Sequence, residues 1–161
     1  MPGEAFEVGD ILLTLRKIRV LGRIIAIDYG TKRTGLAITD PGQMIATPME
    51  TVPTHHLMNY LQEYMEKEKV DLLVVGFPTQ MDYAESESMK QIRYFVGAFR
   101  KRFKEIPVKW IDERFTSSLA MDTLVRGGMK KSKRREKGQV DRVSAALILQ
   151  SYLEQRNKTR G

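Results

Sequence analysis

The chain has no cysteine, so it can form neither a disulfide framework nor a thiolate metal site. It also lacks any apolar run that approaches the roughly 20 residues a membrane-spanning helix requires. A signal-peptide pattern is missing as well, because Glu4, Glu7 and Asp10 precede the short apolar segment 11–13. These absences favour a cytoplasmic protein with no membrane partner. Its 161 residues are enough to bury about 70% of the unfolded surface in a single core.

Acidic residues are in deficit. The chain carries 27 Lys and Arg against 20 Asp and Glu, which gives a net charge of +7. Such an excess makes a polyanionic partner such as a nucleic acid a reasonable expectation. Many basic proteins bind no nucleic acid, so the charge alone does not decide the function.

What the chain does contain is organised around the stretch from Arg23 to Asp40, RIIAIDYGTKRTGLAITD. An apolar run ends abruptly at Asp28, a basic turn follows, and a second apolar run covers 36–38. This pattern predicts a β-hairpin whose first strand ends in a carboxylate. Because a buried, unpaired carboxylate is costly to desolvate, we expect Asp28 to face a metal ion or a phosphate-bearing ligand.

The remaining patterns predict the element order βββαβαβαα, an α/β fold with a mixed five-stranded sheet and helices packed on both faces. Residues 1–22 are expected to be an N-terminal extension, 23–155 a single domain, and 156–161 a polar tail. Thr54 is a candidate N-cap for the first helix. The predicted later elements are a strand at 44–52, a helix at 57–69, a strand at 70–77, a helix at 84–103, a strand at 108–111, a helix carrying 119–125 and a final helix at 139–155.

Three carboxylates lie at the ends of predicted elements: Asp28, Glu113 and Asp141. Sites in α/β sheets form at the carboxyl ends of strands, where Asp28 and Glu113 both fall, and the first turn of the last helix can bring Asp141 there. Oxygen ligands without His or Cys suit hard cations, Mg²⁺ or Mn²⁺. Two such ions about 4 Å apart could activate water and stabilise the leaving oxygen of a phosphodiester.

Each of the three carboxylates also has an ordinary structural interpretation. Asp28 alone could be a turn or cap residue, Glu113 could form a surface ion pair with Arg114, and Asp141 could complement a helix dipole. Their joint occurrence at matching element ends is what favours a shared catalytic and metal-binding role.

Basic residues near these ends are candidate nucleic-acid contacts. In the hairpin these are Lys32 and Arg33, and a basic segment leading into Asp141 adds Lys130, Lys131, Lys133, Arg134 and Arg135. A solvated charged loop is the alternative interpretation of that segment. Gly30 could let a phosphate or metal approach the backbone or could simply serve turn geometry. For Trp110 we expect core packing rather than base stacking.

The segment IDYGTKRTGLAITD resembles the D-x-G-x-x-R-x-G signature of the YqgF/RuvX family, described as Holliday junction resolvases and as pre-16S rRNA nucleases. The resemblance continues through VVGFP, WIDERFTS and DRVSAALILQSYL, in the family's order. It implies a ribonuclease H-like fold for 23–155 and divalent-metal-dependent phosphodiester hydrolysis. By motif position it implies Asp28, Glu113 and Asp141 as the acidic triad, with Arg33, Arg114 and Thr116 in support. The segment 81–87 departs from the family's usual M-D-G-S-E pattern.

The leading hypothesis is therefore a Mg²⁺- or Mn²⁺-dependent nuclease for structured nucleic acid, with 5′-end processing of precursor 16S rRNA as the expected role and a monomer or weak homodimer as the expected state. Alternatives are a Holliday junction resolvase-like DNA nuclease and a non-catalytic rRNA-binding assembly factor. A sugar-kinase-like nucleotide binder is a weaker alternative, because that fold needs a second large lobe that 161 residues do not provide.

Overall fold

The computed structural model describes residues 8–9, 21–78, 86–113 and 137–161, with side chains from 141 onward in the last range. Within them a five-stranded sheet has the order β3-β2-β1-β4-β5. Strand β1 pairs antiparallel with β2 and parallel with β4, β2 pairs antiparallel with β3, and β4 pairs parallel with β5. The strands are β1 Arg23–Asp28, β2 Arg33–Thr39, β3 Ala46–Pro53, β4 Val70–Phe77 and β5 Val108–Asp112.

Three α-helices accompany the sheet in the described ranges: α1 Leu57–Lys67, α2 Glu87–Arg102 and α3 Lys137–Arg160. Ser86 caps α2, because its hydroxyl accepts a hydrogen bond from the Met89 amide at 3.2 Å. None of these helices combines the length and apolar character needed to cross a membrane.

Alternation along the strands assigns each side chain to one of two hydrophobic clusters. In β1, Ile25 and Ile27 belong to the cluster that includes residues of α1 and α2. Ile24 and Ala26 belong to the cluster that includes α3, where Ile148 and Leu149 are fully buried. The sheet is therefore covered on both faces, and the helix that carries Asp141 lies on the face of Ile24 and Ala26.

Hydrogen bonds tie α3 to the amino ends of β1 and β4. Gln43 has a positive φ of 56° and is buried in the turn between β2 and β3. The side-chain nitrogen Nε2 of Gln43 donates to the Gly22 carbonyl at 2.6 Å and lies 3.4 Å from Asp71 Oδ2. The Arg156 guanidinium donates to the Gln43 side-chain oxygen at 2.8 Å and to its backbone carbonyl at 2.7 Å. We call Gly22, Gln43, Asp71 and Arg156 the amino-end network.

The predicted mixed α/β sheet with helices on both faces is confirmed, and β4 has the predicted bounds. The prediction that Thr54 caps the first helix is wrong, because Thr54 begins a 3-10 turn over Thr54–His56 and its hydroxyl binds the Gly30 carbonyl. Helix α3 continues to Arg160 rather than ending near 155, since Arg156 is held by Gln43. The predicted helix carrying 119–125 lies outside the described residues.

Candidate active site

Asp28 is the last residue of β1, and strand alternation decides which way it faces. It follows Ile24 and Ala26 at intervals of two, so its side chain lies on the α3 face of the sheet. Its register partner on β2 is Gly35. The carboxylate therefore lies between the end of the central strand and the start of the helix that carries Asp141.

Gly35 allows α3 to approach this strand end closely. A Cβ atom at Gly35 would collide with the backbone carbonyl of Asp141 and would lie 2.6 Å from the Arg142 amide nitrogen. Any larger residue would have to move the backbone of α3 away from the sheet. Gly35 thus fixes the distance at which Asp141 approaches Asp28.

Gly76 also allows α3 to approach the sheet closely, on β4, which neighbours β1 on the side opposite β2. It is the register partner of Ile111 on β5, and a Cβ atom there would overlap Ile148 of α3. The same atom would lie 3.2 Å from Oε1 of Glu113, the residue that follows β5. The side chain of Glu113 therefore extends over Gly76 toward the end of β1, where Asp28 lies.

The electrostatics of Asp28 show that the three carboxylates converge. Burial raises its pKa, and the negative charge of Glu113, a hydrogen bond to Glu113 and the charge of Asp141 raise it further, to about 8. In its protonated form the Asp28 carboxyl donates this hydrogen bond to Glu113. A partly buried anionic cluster of this kind favours a bound proton or a bound cation.

Arg33 is the cation that the structure places at this cluster. Its Nε lies 3.3 Å from Oδ2 of Asp141, and both side chains are partly open to solvent, at 47% and 27%. The pair connects the start of β2 to the first described turn of α3. Arg33 thus contacts a carboxylate of the cluster, and its contact with nucleic acid stays a prediction.

The hairpin loop that carries Lys32 is held by Thr54. The Thr54 hydroxyl donates to the Gly30 carbonyl at 2.6 Å, and its amide donates to the Lys32 carbonyl at 3.0 Å. A Cβ atom at Gly30 would collide with the Arg33 carbonyl. Turn geometry therefore accounts for Gly30, and the Lys32 side chain projects into solvent.

Several predicted site residues lie outside the described residues, namely Arg114, Thr116, Lys130, Lys131, Lys133, Arg134 and Arg135. Among the residues that are described, no three His, Cys, Asp or Glu side chains form a ready-made metal cage. Like charges repel one another, and Asp141 is paired with Arg33, so the carboxylates converge without closing into a cage.

Sequence reasoning missed the positioning roles of Gly35 and Gly76. Gly35 lies within the β2 segment RTGLAIT, and Gly76 lies within the β4 segment VVGF. A glycine within a strand is a signal for a close backbone approach. The pattern does not say which segment makes the approach, because α3 lies far along the chain.

Comparisons with known proteins identify the family of this chain. A family model described as "RuvX: Holliday junction resolvase" matches residues 22–155. The chain belongs to the RuvX family. Two curated relatives, both named "Putative pre-16S rRNA nuclease", come from Bacteroides thetaiotaomicron and Phocaeicola vulgatus. They are 51% and 52% identical to the chain over 134 residues, covering 83% of it and 97% and 96% of their own lengths.

Solved structures place this RuvX family member in a wider fold class. The chain is similar to Thermus thermophilus RuvC in complex with a Holliday junction substrate, with a TM-score of 0.53 and 19% identity over 79% of this chain and 91% of that one. A second structure of Thermus thermophilus RuvC gives a TM-score of 0.52, also at 19% identity. At this identity the likeness concerns the fold, which is ribonuclease H-like, as predicted.

Proposed function

We propose that this protein is a divalent-metal-dependent nuclease that hydrolyses phosphodiester bonds in structured RNA, with precursor 16S rRNA as its substrate. The observation that carries the proposal is the convergence of Glu113 and Asp141 on Asp28 at the carboxyl end of β1. Convergent oxygen donors at the carboxyl end of a central strand suit a hard cation and a phosphate group. Family membership and the names of the curated relatives support the choice of reaction.

The donor set fits Mg²⁺ or Mn²⁺. Asp28, Glu113 and Asp141 would hold the ion, because all three present carboxylate oxygens. The negative charges of Glu113 and Asp141 close to Asp28 also favour a bound cation. When bound, a divalent ion would supply Lewis-acid activation of water and charge stabilisation at the phosphate. Without a bound ion, the raised pKa of Asp28 keeps its carboxyl protonated at neutral pH, and Arg33 pairs with Asp141.

Basic residues would hold the phosphate backbone next to the carboxylates. Lys32 is exposed on the hairpin loop beside Arg33, at the end of the sheet where Asp28 lies. Arg114 and the basic segment Lys130, Lys131, Lys133, Arg134 and Arg135 are proposed as further contacts, with Thr116 in support. Contacts of this kind position a strand without reading its sequence.

The proposed nuclease domain covers 23–155, with 1–22 as an extension, and residues 156–160 continue α3 beyond the predicted domain end. We place the protein in the cytoplasm as a monomer or weak homodimer, in line with its positive charge and lack of cysteine. A second candidate substrate is branched DNA, which is favoured by the description of the family model. A non-catalytic rRNA-binding factor is the third candidate.

The test compares Asp28→Asn with Asp71→Asn. Both replace a partly buried aspartate on neighbouring strands, but Asp71 lies at the amino end of β4, among hydrogen-bond donors. Wild type and Asp71→Asn should cleave precursor rRNA in Mn²⁺ and not in EDTA, whereas Asp28→Asn should lose on the order of 10³-fold or more of the rate. Branched DNA is offered to all three proteins in parallel.

Retained cleavage by Asp28→Asn would refute the assignment of the carboxylates. Tight, salt-sensitive rRNA binding by wild type, with no cleavage in any metal, would favour the non-catalytic binding factor instead. Circular dichroism of the three proteins shows whether a loss of rate comes from loss of folding.

A further inference from the structure

The face of the sheet opposite α3 contains a cleft of about 550 Å³ that the nuclease chemistry does not use. Its base consists of Phe77, the last residue of β4, and Trp110 of β5, whose rings meet edge to face with centroids 6.1 Å apart. Helix α2 forms the wall with Met89, Val96 and Gly97, and Arg93 and Arg100 add two guanidinium groups to the lining. We call this the aromatic cleft.

Consecutive residues of β4 contribute to the carboxylate cluster and to the aromatic cleft. Gly76 faces Glu113 on the α3 side, and Phe77, the next residue, faces the cleft on the α2 side. Both positions are at the carboxyl end of β4, where Phe77 pairs with Asp112. The carboxylate cluster and the cleft therefore lie at the same end of β4, on opposite faces of the sheet.

The lining matches the two parts of a nucleotide. The face of a base can stack on an aromatic platform, and guanidinium groups donate hydrogen bonds to phosphate oxygens. Helix α2 carries five Lys or Arg residues against one Glu, and Tyr94, next to Arg93, is 83% exposed. The described residues that line the cleft include no carboxylate, and Asp112, two residues after Trp110, follows on the same face of β5. Charge and shape thus favour a single-stranded nucleotide segment over an apolar or cationic ligand.

We propose that the aromatic cleft binds a single-stranded segment of the nucleic-acid substrate, with a base stacked on Trp110 and Phe77 and its phosphates at Arg93 and Arg100. This rests on the proposed function only in that the bound strand is the one the carboxylates act on. Trp110 thus packs against the core on one side and offers its outer part to a base.

The experiment uses Trp110 as its own probe, because it is the only tryptophan in the chain. Short oligouridine and oligothymidine are titrated into the full-length protein in EDTA, so that binding is measured without cleavage. Stacking should quench Trp110 fluorescence in a saturable way, and the same titration with dye-labelled oligonucleotide reports binding anywhere on the protein by anisotropy. Comparing the two oligonucleotides separates RNA from DNA preference.

Gly97 offers a matched pair of variants. A Cβ atom at this position meets no heavy atom within 4 Å, so a side chain can be added without moving the backbone. Gly97→Met should occupy the cleft and abolish the quenching, while Gly97→Ala should leave it intact. Both replacements should preserve or increase stability, because glycine is a poor residue for a helix interior.

The charge arm replaces Arg93 and Arg100 with alanine together. Affinity should fall roughly tenfold or more, and the slope of log affinity against log salt should decrease by about 1.4, since each phosphate contact on a single strand contributes about 0.7. The double variant Lys158→Ala/Arg160→Ala removes the same charge from the exposed end of α3 and should change affinity less.

The outcomes separate this proposal from the proposed function. Binding by anisotropy with unchanged Trp110 fluorescence, or quenching that survives Gly97→Met and the double arginine variant, would overturn the aromatic cleft as a nucleotide site. Absence of any binding would overturn it too. None of these results bears on cleavage by Asp28→Asn, which tests the carboxylates alone. Quenching that Gly97→Met abolishes would support the cleft even if no cleavage is found.

Discussion

Asp28 and Asp71 lie on neighbouring parallel strands at opposite ends of the sheet, and their surroundings differ in sign. The Asp71 carboxylate accepts a hydrogen bond from the backbone amide of Gly22 at 2.8 Å. It also lies 3.4 Å from the side-chain Nε2 of Gln43 and is paired with Lys69. Asp28 has two carboxylates, Glu113 and Asp141, as its charged neighbours. Among the described residues, the amino end of the sheet therefore supplies hydrogen-bond donors to Asp71, whereas the carboxyl end places two further carboxylates beside Asp28, one of them paired with Arg33.

This difference shows what each end of the sheet contributes. The amino-end network joins α3 to the β2–β3 turn through direct hydrogen bonds from Arg156, which stabilises the fold. At the carboxyl end, Asp28, Glu113 and Asp141 lie close together, and their mutual repulsion destabilises the fold unless a bound cation offsets it. Since α3 contributes to both ends, the network that holds Arg156 also orients the helix that presents Asp141.

The largest expected effect comes from removing the charge on Asp28 in metal-free protein. Its folded-state pKa of about 8 lies above the ordinary value of 3.8, so the folded state keeps a proton that the unfolded state releases between those values. Wild-type stability should therefore fall as pH rises from about 4 to about 8, by at most about 6 kcal/mol. Asp28→Asn should lack this fall and be the more stable protein at pH 8.

Urea unfolding of both proteins in EDTA, from pH 5 to pH 9, measures this difference. The matched Asp71→Asn variant alters a group that accepts hydrogen bonds, so it should lose stability at pH 8, where Asp28→Asn gains it. A stability difference between wild type and Asp28→Asn that does not change with pH would contradict the proposed crowding of carboxylates. Mn²⁺ should stabilise wild type at pH 8 more than Asp28→Asn.

A smaller effect is expected from breaking the other end of the sheet. Gln43→Ala removes two side-chain hydrogen bonds. The Gly22 carbonyl loses its buried donor, and the Arg156 guanidinium loses a partly buried acceptor. The variant should lose about 2–4 kcal/mol of stability. Thermal and urea unfolding measure the loss, with Gln62→Ala on α1 as the control, because the Gln62 side chain makes only a long contact to Glu66 at 3.5 Å. If Gln43→Ala were as stable as the control, the network would not be a stabilising element.

The smallest effect is expected at the glycines that determine how closely α3 approaches the sheet. Gly35→Ala should cost about 1–3 kcal/mol, because the added methyl group collides with the Asp141 backbone. Gly97→Ala adds the same methyl group in open space and should not destabilise the protein. Gly35→Ala should also weaken Mn²⁺ binding, measured by calorimetry, because it moves Asp141 away from Asp28. Unchanged stability and metal binding would show that α3 does not need this close approach.

The mixed sheet, its strand bounds at 70–77 and the family were all predictable from the sequence. Local patterns suffice for these features, since a continuous apolar run such as VDLLVVGF predicts a central strand wherever the strand lies. Element ends were less accurate. Thr54 has the residue type of an N-cap, but the nearby Gly30 carbonyl takes its hydroxyl instead. Such competition between partners depends on residues far along the chain.

The sequence by itself determined which carboxylates stand at element ends and which chemistry their oxygens suit. Only the tertiary structure decided that Glu113 and Asp141 approach Asp28 on the same face, because that depends on strand register and on the packing of α3 over Gly35 and Gly76. It also placed Trp110 and Phe77 together beside the arginines of α2. Residue types and spacing are local properties, whereas register and helix packing arise from contacts between segments up to about a hundred residues apart.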